Sequence, residues 1–387
     1  MNDLSGIRVL LVEGFARQVM PMMQALHDLD CHITTLNSSK LDMGYASRYP
    51  NEKLLAPWDR NDPQASLASL ERVLKKHKYD VVIPLTDFSA TLLSKHKAEL
   101  SENAAIAVND WVVFQMASDK QSTMQACMEN DIPCPHTLSG IETVEDVIHA
   151  GIPYPFIIKP RVGYGSIGFH RIEDEEQLRT VFNKTARDHG KLLVQEFIPQ
   201  TDKQYKAQIF IDRYGIAKSA CVFDKTRWYP IDGGSTCCSA TVSRTDIVDV
   251  CTRLLKIIGW RGYADVDLIQ DPRDNIAKVM EINPRITASV KVCFAAGVDF
   301  ARQIVEYETG REVSEYRTYE VGRVLRYMHT DLLWFIQSPD RFRTQPSWFS
   351  FKKTTDQIFS TKDPWPWVTY SVQAVKKLAP ELQKRKR

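Results

Sequence analysis

The chain of 387 residues lacks most of the features that announce a compartment or a chemistry at once. Its eight cysteines, at 31, 127, 134, 221, 237, 238, 251 and 293, form no CxxC pair and keep no regular spacing. That argues against a disulfide framework and fits reduced thiols in a cytoplasmic protein. The adjacent Cys237 and Cys238 read as small buried or pocket-lining residues ahead of a soft-metal site. No apolar run approaches the ~20 residues that span a bilayer. The opening Met1-Asn-Asp-Leu-Ser-Gly6 has neither the basic nor the apolar region of a signal peptide. With 50 Lys and Arg against 48 Asp and Glu, and no long basic run before the last residues, no nucleic-acid partner is expected. There is no Walker loop, no dinucleotide fingerprint around the single Gly14, and no Ser–His–Asp or Cys–His arrangement.

What is present is an ordinary globular composition, 43% hydrophobic and 25% charged, with material for two or three domains. The run 7–12 is of buried-strand type, residues 19–26 carry helical spacing, and 31–36 is a second strand. A helix over 67–74, a strand over 79–85, a helix from 86 and a short closing strand at 105–108 extend this β-α-β beginning. The pattern predicts a doubly wound α/β domain over residues 1–110. A helix follows over 116–130, capped by Ser118 or Asp119, with Lys120 in its first turn. The helix dipole disfavours a cation there; Lys120 is either solvated or wanted by an anion held at that helix end.

The segments 263–270 and 278–285 carry the most chemistry. Both read as strands, and Asp271-Pro-Arg-Asp-Asn275 between them is turn-forming, so an antiparallel hairpin is predicted. Glu281 and Asn283 share a face, since side chains two apart on a strand do, and Asp267 can join them. Two carboxylates and an amide oxygen are hard ligands of the kind Mg²⁺ takes when it also holds phosphates. The alternative is a surface hairpin with solvated acids. On the metal reading no lysine stands between the acids, so their mutual repulsion is expected to raise a carboxylate pKa. Arg285 continues the same face with a fork suited to phosphate or carboxylate.

Upstream, the strand 154–160 ends in Lys159 and runs into Arg161-Val-Gly-Tyr-Gly-Ser-Ile-Gly168. Glycines 163, 165 and 168 with Ser166 make a loop whose N–H groups can wrap phosphate oxygens. Residues 192–198 form a strand whose end, Glu196 to Ile198, is either an ordinary core strand or a hinge offering backbone bonds and apolar walls to a purine. Residues 224–236 read as a long polar loop of the functional kind. In it Arg227, preferred over Lys225 for its fork, with Gly233, Gly234 and Ser235, is the candidate for holding a substrate carboxylate.

Taken in order, Ser118-Asp-Lys120, the 157–168 segment, Val194-Gln-Glu-Phe-Ile-Pro199, Gly233-Gly-Ser235, Asp267 and Met280-Glu-Ile-Asn-Pro-Arg285 resemble the ATP-grasp superfamily of carboxylate–amine ligases. The resemblance spans roughly residues 5–312. It implies an open-sheet domain preceding the ATP-grasp body, α/β overall and α+β in the ligase body. It also implies a two-lobed ATP-grasp domain over 111–312 with its hinge near 196–199. Lys120 and Lys159 match the family's phosphate lysines, and Gly163, Gly165, Ser166 and Gly168 its flap. Glu196, Phe197 and Ile198 match its adenine hinge, with Asp202 or Gln204 at the ribose. Asp267, Glu281 and Asn283 match its Mg²⁺ ligands, for which Mn²⁺ is an alternative, and Arg285 the arginine beside the transferred phosphate. The implied chemistry activates a carboxylate with ATP as an acyl phosphate, which an amine then attacks. Bicarbonate activation and a non-catalytic nucleotide-binding scaffold are the rival readings. The implied partners are small-molecule carboxylates and amines, and a homodimer is among the assemblies open to it.

Beyond 312 the resemblance ends. The tail 313–387 holds Trp334, Trp348, Trp365 and Trp367 and several phenylalanines, broken by prolines. Packing across the ligase body is the favoured reading, ahead of lining the acceptor site or of contact with a partner or a membrane surface.

Overall fold

The apolar runs near the N-terminus lie in the strands of a parallel sheet. In the computed structural model, which describes residues 2–163, 167–199, 203–231 and 235–384, with side chains as far as 374, these strands are β1 (Arg8–Val12), β2 (His32–Asn37), β3 (Glu52–Leu55), β4 (Val81–Pro84) and β5 (Ala105–Ile106). Their order is β3-β2-β1-β4-β5, every pair parallel. Because side chains alternate along a strand, β1 sends Val9 and Leu11 to one core and Leu10 and Val12 to another. The first core takes Met22, Met23 and Leu26 of the helix Val19–Asp28. The second takes Leu70 and Leu74 of the helix Pro63–Lys76, with Leu92 and Leu93 of Asp87–Lys95. This is the predicted doubly wound arrangement.

A small antiparallel sheet follows, in the order β7-β6-β8: β6 (Phe156–Pro160), β7 (His170–Ile172) and β8 (Leu192–Glu196). The helices Val144–Ala150 and Glu175–His189 cover it with Val147, Leu178 and Phe182. The helix expected over 116–130 is two helices, Trp111–Ser118 and Lys120–Glu129. Asp119 stands between them in an extended conformation, its side chain accepting from the Gln121 N–H. That caps the second helix and stops the first.

The central sheet has seven strands: β9 (Gln204–Ile211), β10 (Ala217–Tyr229), β11 (Ser235–Thr241), β12 (Gly262–Gln270), β13 (Ala277–Asn283), β14 (Val324–Arg326) and β15 (Thr354–Asp356). The order is β13-β12-β9-β10-β11-β14-β15, antiparallel throughout except for the last pair. Phe210, Cys221, Phe223 and Tyr263 on one face join the core that contains the N-terminal helix Val19–Asp28. On the other face Val222, Ala264, Val266 and Leu268 pack with residues of Trp111–Ser118, Lys120–Glu129 and Thr245–Ile257. One continuous apolar cluster therefore runs from the parallel sheet into the central one.

The polar loop expected over 224–236 is instead mostly strand, since β10 runs to Tyr229 and β11 starts at Ser235. The segment 323–334 is a strand and then the helix Met328–Gln337. Through β14 and β15 the C-terminal extension adds to the edge of the central sheet, and one buried ion cluster fastens it there. Asp331, fully buried, accepts from Arg227 at 2.6 and 3.0 Å and from Arg326 Nε at 2.6 Å. Both guanidinium groups are buried too, and each also donates to a carbonyl, Pro346 O or Trp348 O, at 2.8 Å. Their faces lie on Trp334 and Trp348, 5.1 and 4.8 Å from the ring centres, which shares out the charge that one carboxylate leaves uncompensated.

Removing the carboxylate charge would leave two buried cations without a counterion. Asp331→Asn is therefore expected to lower unfolding stability by about 3 kcal/mol or more, read from urea unfolding. A loss below about 0.5 kcal/mol, the size of an ordinary surface change, would contradict the fastening role.

Candidate active site

The β12–β13 register pairs Asp267 with Glu281 and Asp265 with Asn283, so the predicted hairpin brings its acids and its amide together. Between Asp267 and Leu268 the partner changes from Glu281 to Val279. The extra residue, Met280, is a bulge beside Glu281 of the kind that re-aims side chains at sites. Arg285 follows the hairpin and pairs through Nη2 with Asp87 Oδ2 at 2.8 Å, tying the hairpin's end to the parallel sheet.

The lysines change the electrostatics expected of this hairpin. Lys206, on the neighbouring β9, pairs with Asp265 and with Asp267 Oδ2 at 2.9 Å. Lys225, on β10, reaches Asp267 Oδ1 at 2.5 Å. Lys120 donates to Gly163 O at 2.9 Å and lies 3.3 Å from Glu281 Oε2. The expectation of unpartnered acids with a raised pKa is therefore corrected. Burial alone would raise the Asp267 carboxyl, and the Lys206 and Lys225 ammonium groups override it and hold it well below the usual range. Asp265 is further held by Thr287 Oγ1 at 2.7 Å and Gln208 Nε2 at 2.9 Å.

Lys159, at the end of β6 and buried, makes no ion pair among the described residues. Burial pushes its ammonium down to about 8; Glu281 opposes that shift and Lys120 adds to it. Gly168, with φ of 72°, closes the 163–168 loop where a Cβ would meet Pro160 Cγ at 2.9 Å. Of the residues expected in the flap, Gly165 and Ser166 lie outside the described residues, as do Asp202, Gly233 and Gly234.

Most of these groups, though not Asp265, Gln208 or Gly168, open on one cleft of about 1380 Å³. Lys120, Lys159, Lys206, Lys225, Arg285, Asp267, Glu281 and Asn283 line it, as do Gly163, Gln204 and Ser235. Its apolar wall includes Ile167, Phe169, Leu268 and Met280. Glu196, Phe197 and Ile198 are not among the residues lining it. The Glu196 carboxylate is occupied by Arg273 at 2.8 Å and by the His136 N–H at 2.9 Å, and Phe197 lies under Arg171. The Glu196 and Phe197 side chains are thus engaged within the protein.

Arg227 is the clear correction. It is buried against Asp331 and away from the cleft, while Lys225, two residues earlier, reaches in. In a regular strand the two would share a face. The β10–β11 register shifts between Lys225 and Arg227 and again between Arg227 and Trp228, and that bulge turns Arg227 to the opposite side. Lys206 was legible but missed: Gln204, Lys206 and Gln208 alternate with Tyr205, Ala207 and Ile209, the mark of a strand with one polar face. Asp87 carried no signal, since its partner lies 198 residues away.

The donors suit a hard divalent cation in a limited sense. Asn283 gives its Nδ2 to Asp265 at 3.0 Å and Asp267 at 2.8 Å, leaving its Oδ1 as the acceptor end. Among the described residues no group of three or more His, Cys, Asp or Glu forms a metal-holding cluster. Two opposed carboxylates and an amide oxygen, without a full protein cage, match a cation shared with a phosphate-bearing ligand, as Mg²⁺ is commonly held.

Residues 117–289 match the family model of the ATP-grasp domain. The chain is 28% identical over 256 residues to a D-aspartate ligase of Enterococcus faecium, a match covering 61% of this chain and 60% of the relative. It is 26% identical over 213 residues to a D-alanine–D-alanine ligase of Cupriavidus pinatubonensis, covering 50% and 64%. The match thus spans less than two thirds of either relative. In fold it resembles the biotin carboxylase of Campylobacter jejuni, with TM-score 0.68, 16% identity and 82% and 74% of the two chains covered. It also resembles the N5-carboxyaminoimidazole synthetase of Staphylococcus aureus, with TM-score 0.65, 17% identity and 84% and 82% covered. Over residues 117–289 the chain is similar to the ATP-grasp domain, in line with the resemblance of its motifs. No helix among the described residues is long and apolar enough to cross a membrane.

A lysine poised near 8 gives this site a pH signature. Below about 8 Lys159 carries its charge, and above it the charge is lost. The dissociation constant for ATP should then be flat through neutrality and rise above about pH 8, by at most roughly tenfold per unit. Lys159→Met should bind weakly and without that rise. Titrations from about pH 6.5 to about 9.5 check this; a flat wild-type profile would remove Lys159 from the phosphate site.

Proposed function

We propose that this chain, through its ATP-grasp domain at residues 117–289, is an ATP-dependent ligase that joins a carboxylate to an amine by way of an acyl phosphate. The observation that carries the reading is the single cleft in which four lysines and Arg285 face Asp267, Glu281 and Asn283. Phosphoryl transfer asks a protein mainly for positioning and charge neutralisation, and this wall supplies both without a protein nucleophile.

In this reading a substrate carboxylate oxygen attacks the γ-phosphorus, the bond to the β–γ bridging oxygen breaks, and ADP leaves. The amine nitrogen then attacks the acyl carbon, the carbon–oxygen bond to phosphate breaks, and the nitrogen's excess proton leaves with the phosphate. Lys120 and Lys159 bind the phosphate chain, with the 163–168 loop closing over it. The backbone of 196–198 meets the purine, and Asp202 or Gln204 the ribose. Lys225 and Arg285 face the charge that develops on the transferred group. Ser235, with Gly233 and Gly234, borders the substrate. Asp267, Glu281 and Asn283 are the ligands for Mg²⁺, which when bound neutralises phosphate charge.

The test is ADP release across pairs of carboxylates and amines. Turnover should require both partners, and an ¹⁸O-labelled carboxylate should pass one label to the released phosphate. Lys225→Ala should lower kcat by roughly 100-fold with little change in ATP affinity. Turnover with bicarbonate in place of the carboxylate would move the reading to carboxyphosphate chemistry. ATP binding with no turnover on any pair would make the chain a scaffold.

A further inference from the structure

One cation on the cleft wall has no place in the chemistry above. Arg17 stands between β1 and the helix Val19–Asp28, at the carboxyl end of the parallel sheet, where the strand order turns from β2-β1 to β4-β5. Open α/β sheets hold ligands at that switch point. The loop that carries it is fixed: the Gly14 N–H donates to Leu36 O at 2.8 Å, and a Cβ on Gly14 would meet Asn37 Oδ1 at 1.9 Å.

Arg17 forms no ion pair with any described carboxylate; its two contacts with the C-terminal extension are both neutral. Nη1 donates to Gln357 Oε1 at 2.7 Å, and the guanidinium lies 4.4 Å from the centre of the Tyr327 ring. The Tyr327 hydroxyl is itself bonded to Tyr370 at 2.7 Å, which steadies that ring. Asp356, next to Gln357 in the chain, spends its oxygens on the N–H groups of Met328, Ile358 and Phe359 at 2.6–3.0 Å. Gln357 is buried, and with Oε1 taken its Nε2 finds no acceptor among the described residues. Arg17, Gln357, Tyr327 and Tyr370 all line the same cleft as Lys225 and Arg285. A guanidinium held rigidly by neutral groups, beside an unused amide N–H₂, is a receptor for an anion: a fork of donors with no carboxylate paired to it among the described residues.

We propose that Arg17 and Gln357 form a binding subsite for an anionic group, a carboxylate or a phosphonate, that a substrate carries in addition to the carboxylate being activated. The inference rests on the ligase reading above and narrows it. One of the two substrates is an amino acid or a dicarboxylate, and neither free ammonia nor a simple alkylamine satisfies this wall when paired with a monocarboxylate. The subsite joins the N-terminal sheet to the C-terminal extension across the ATP-grasp body, which gives the extension a part in substrate choice.

The test is steady-state ADP release by the full chain with MgATP. One arm varies the amine at fixed carboxylate: glycine, β-alanine, aspartate, glutamate and 2-aminoethylphosphonate against ethanolamine, glycinamide and ammonium. The other varies the carboxylate at fixed amine: succinate and glutarate against acetate and butyrate. The subsite predicts turnover with the extra anion in one arm and not with its neutral counterparts, and the arm identifies the carrier. Arg17→Ala should raise the KM for that substrate roughly tenfold to hundredfold and leave the KM for ATP unchanged, with Arg17→Lys between. Gln357→Glu, nearly isosteric, gives Arg17 an internal carboxylate and should reproduce the KM increase, which separates occupancy of the subsite from loss of the fold. Equal KM values in Arg17→Ala and wild type, or preference for neutral substrates in both arms, would overturn the proposal. An absence of ADP release with every pair, alongside intact ATP binding, would overturn the ligase reading and this inference with it.

Discussion

Charge neutralisation on the cleft wall is the constraint on which the site depends. Asp265, Asp267 and Glu281 project from the β12–β13 hairpin, and Lys206, Lys225 and Lys120 meet them from β9, β10 and the helix Lys120–Glu129. Buried or half-buried charges are costly unless paired, so this lattice ties four strands and a helix to one another. In the proposed ligase reading it also prepares the wall for a phosphate ligand. Phosphates can take the ammonium groups and a divalent cation the carboxylates, so that counterions are exchanged and none is stranded. On that reading the site is assembled ahead of its ligand, the arrangement that electrostatic catalysis favours.

The C-terminal extension belongs to the same construction. Its ion cluster around Asp331 takes Arg227 from β10, two residues after Lys225, which reaches into the cleft. The bulge between them divides the strand's two cations, one for the cleft and one for the fastening. The packing reading of the aromatic tail thereby acquires a mechanism: Trp334, Trp348 and Phe351 are the faces over which two buried guanidinium groups lie.

Much of this was legible in the residues. The turn-forming 271–275 between two alternating strands foretold the hairpin, and spacing by two put Glu281 and Asn283 on one face. The parallel sheet followed from short apolar runs separated by helical ones, and Lys120 and Lys159 from their motifs. Two of the failures share one physical cause, dependence on non-local pairing: a bulge reversed Arg227, and strands of three residues in the extension gained their place only from β11. The split of one helix into two is local, since Asp119 caps the second helix through the Gln121 N–H. Lys206 was a failure of another kind, since the alternation of β9 was visible and its polar face was left unassigned.

The central claim is that the hairpin acids bind a phosphate-bearing ligand through a divalent cation, and thermal unfolding with ATP tests it most directly. A ligand that binds only the folded state stabilises it by mass action. In the wild type, Mg²⁺ added to saturating ATP should raise Tm beyond ATP alone. In Glu281→Gln, which keeps shape and removes one charge, ATP alone should still stabilise while the Mg²⁺ increment disappears. An undiminished Mg²⁺ increment in Glu281→Gln would show that the hairpin is structural and would contradict the account at its centre.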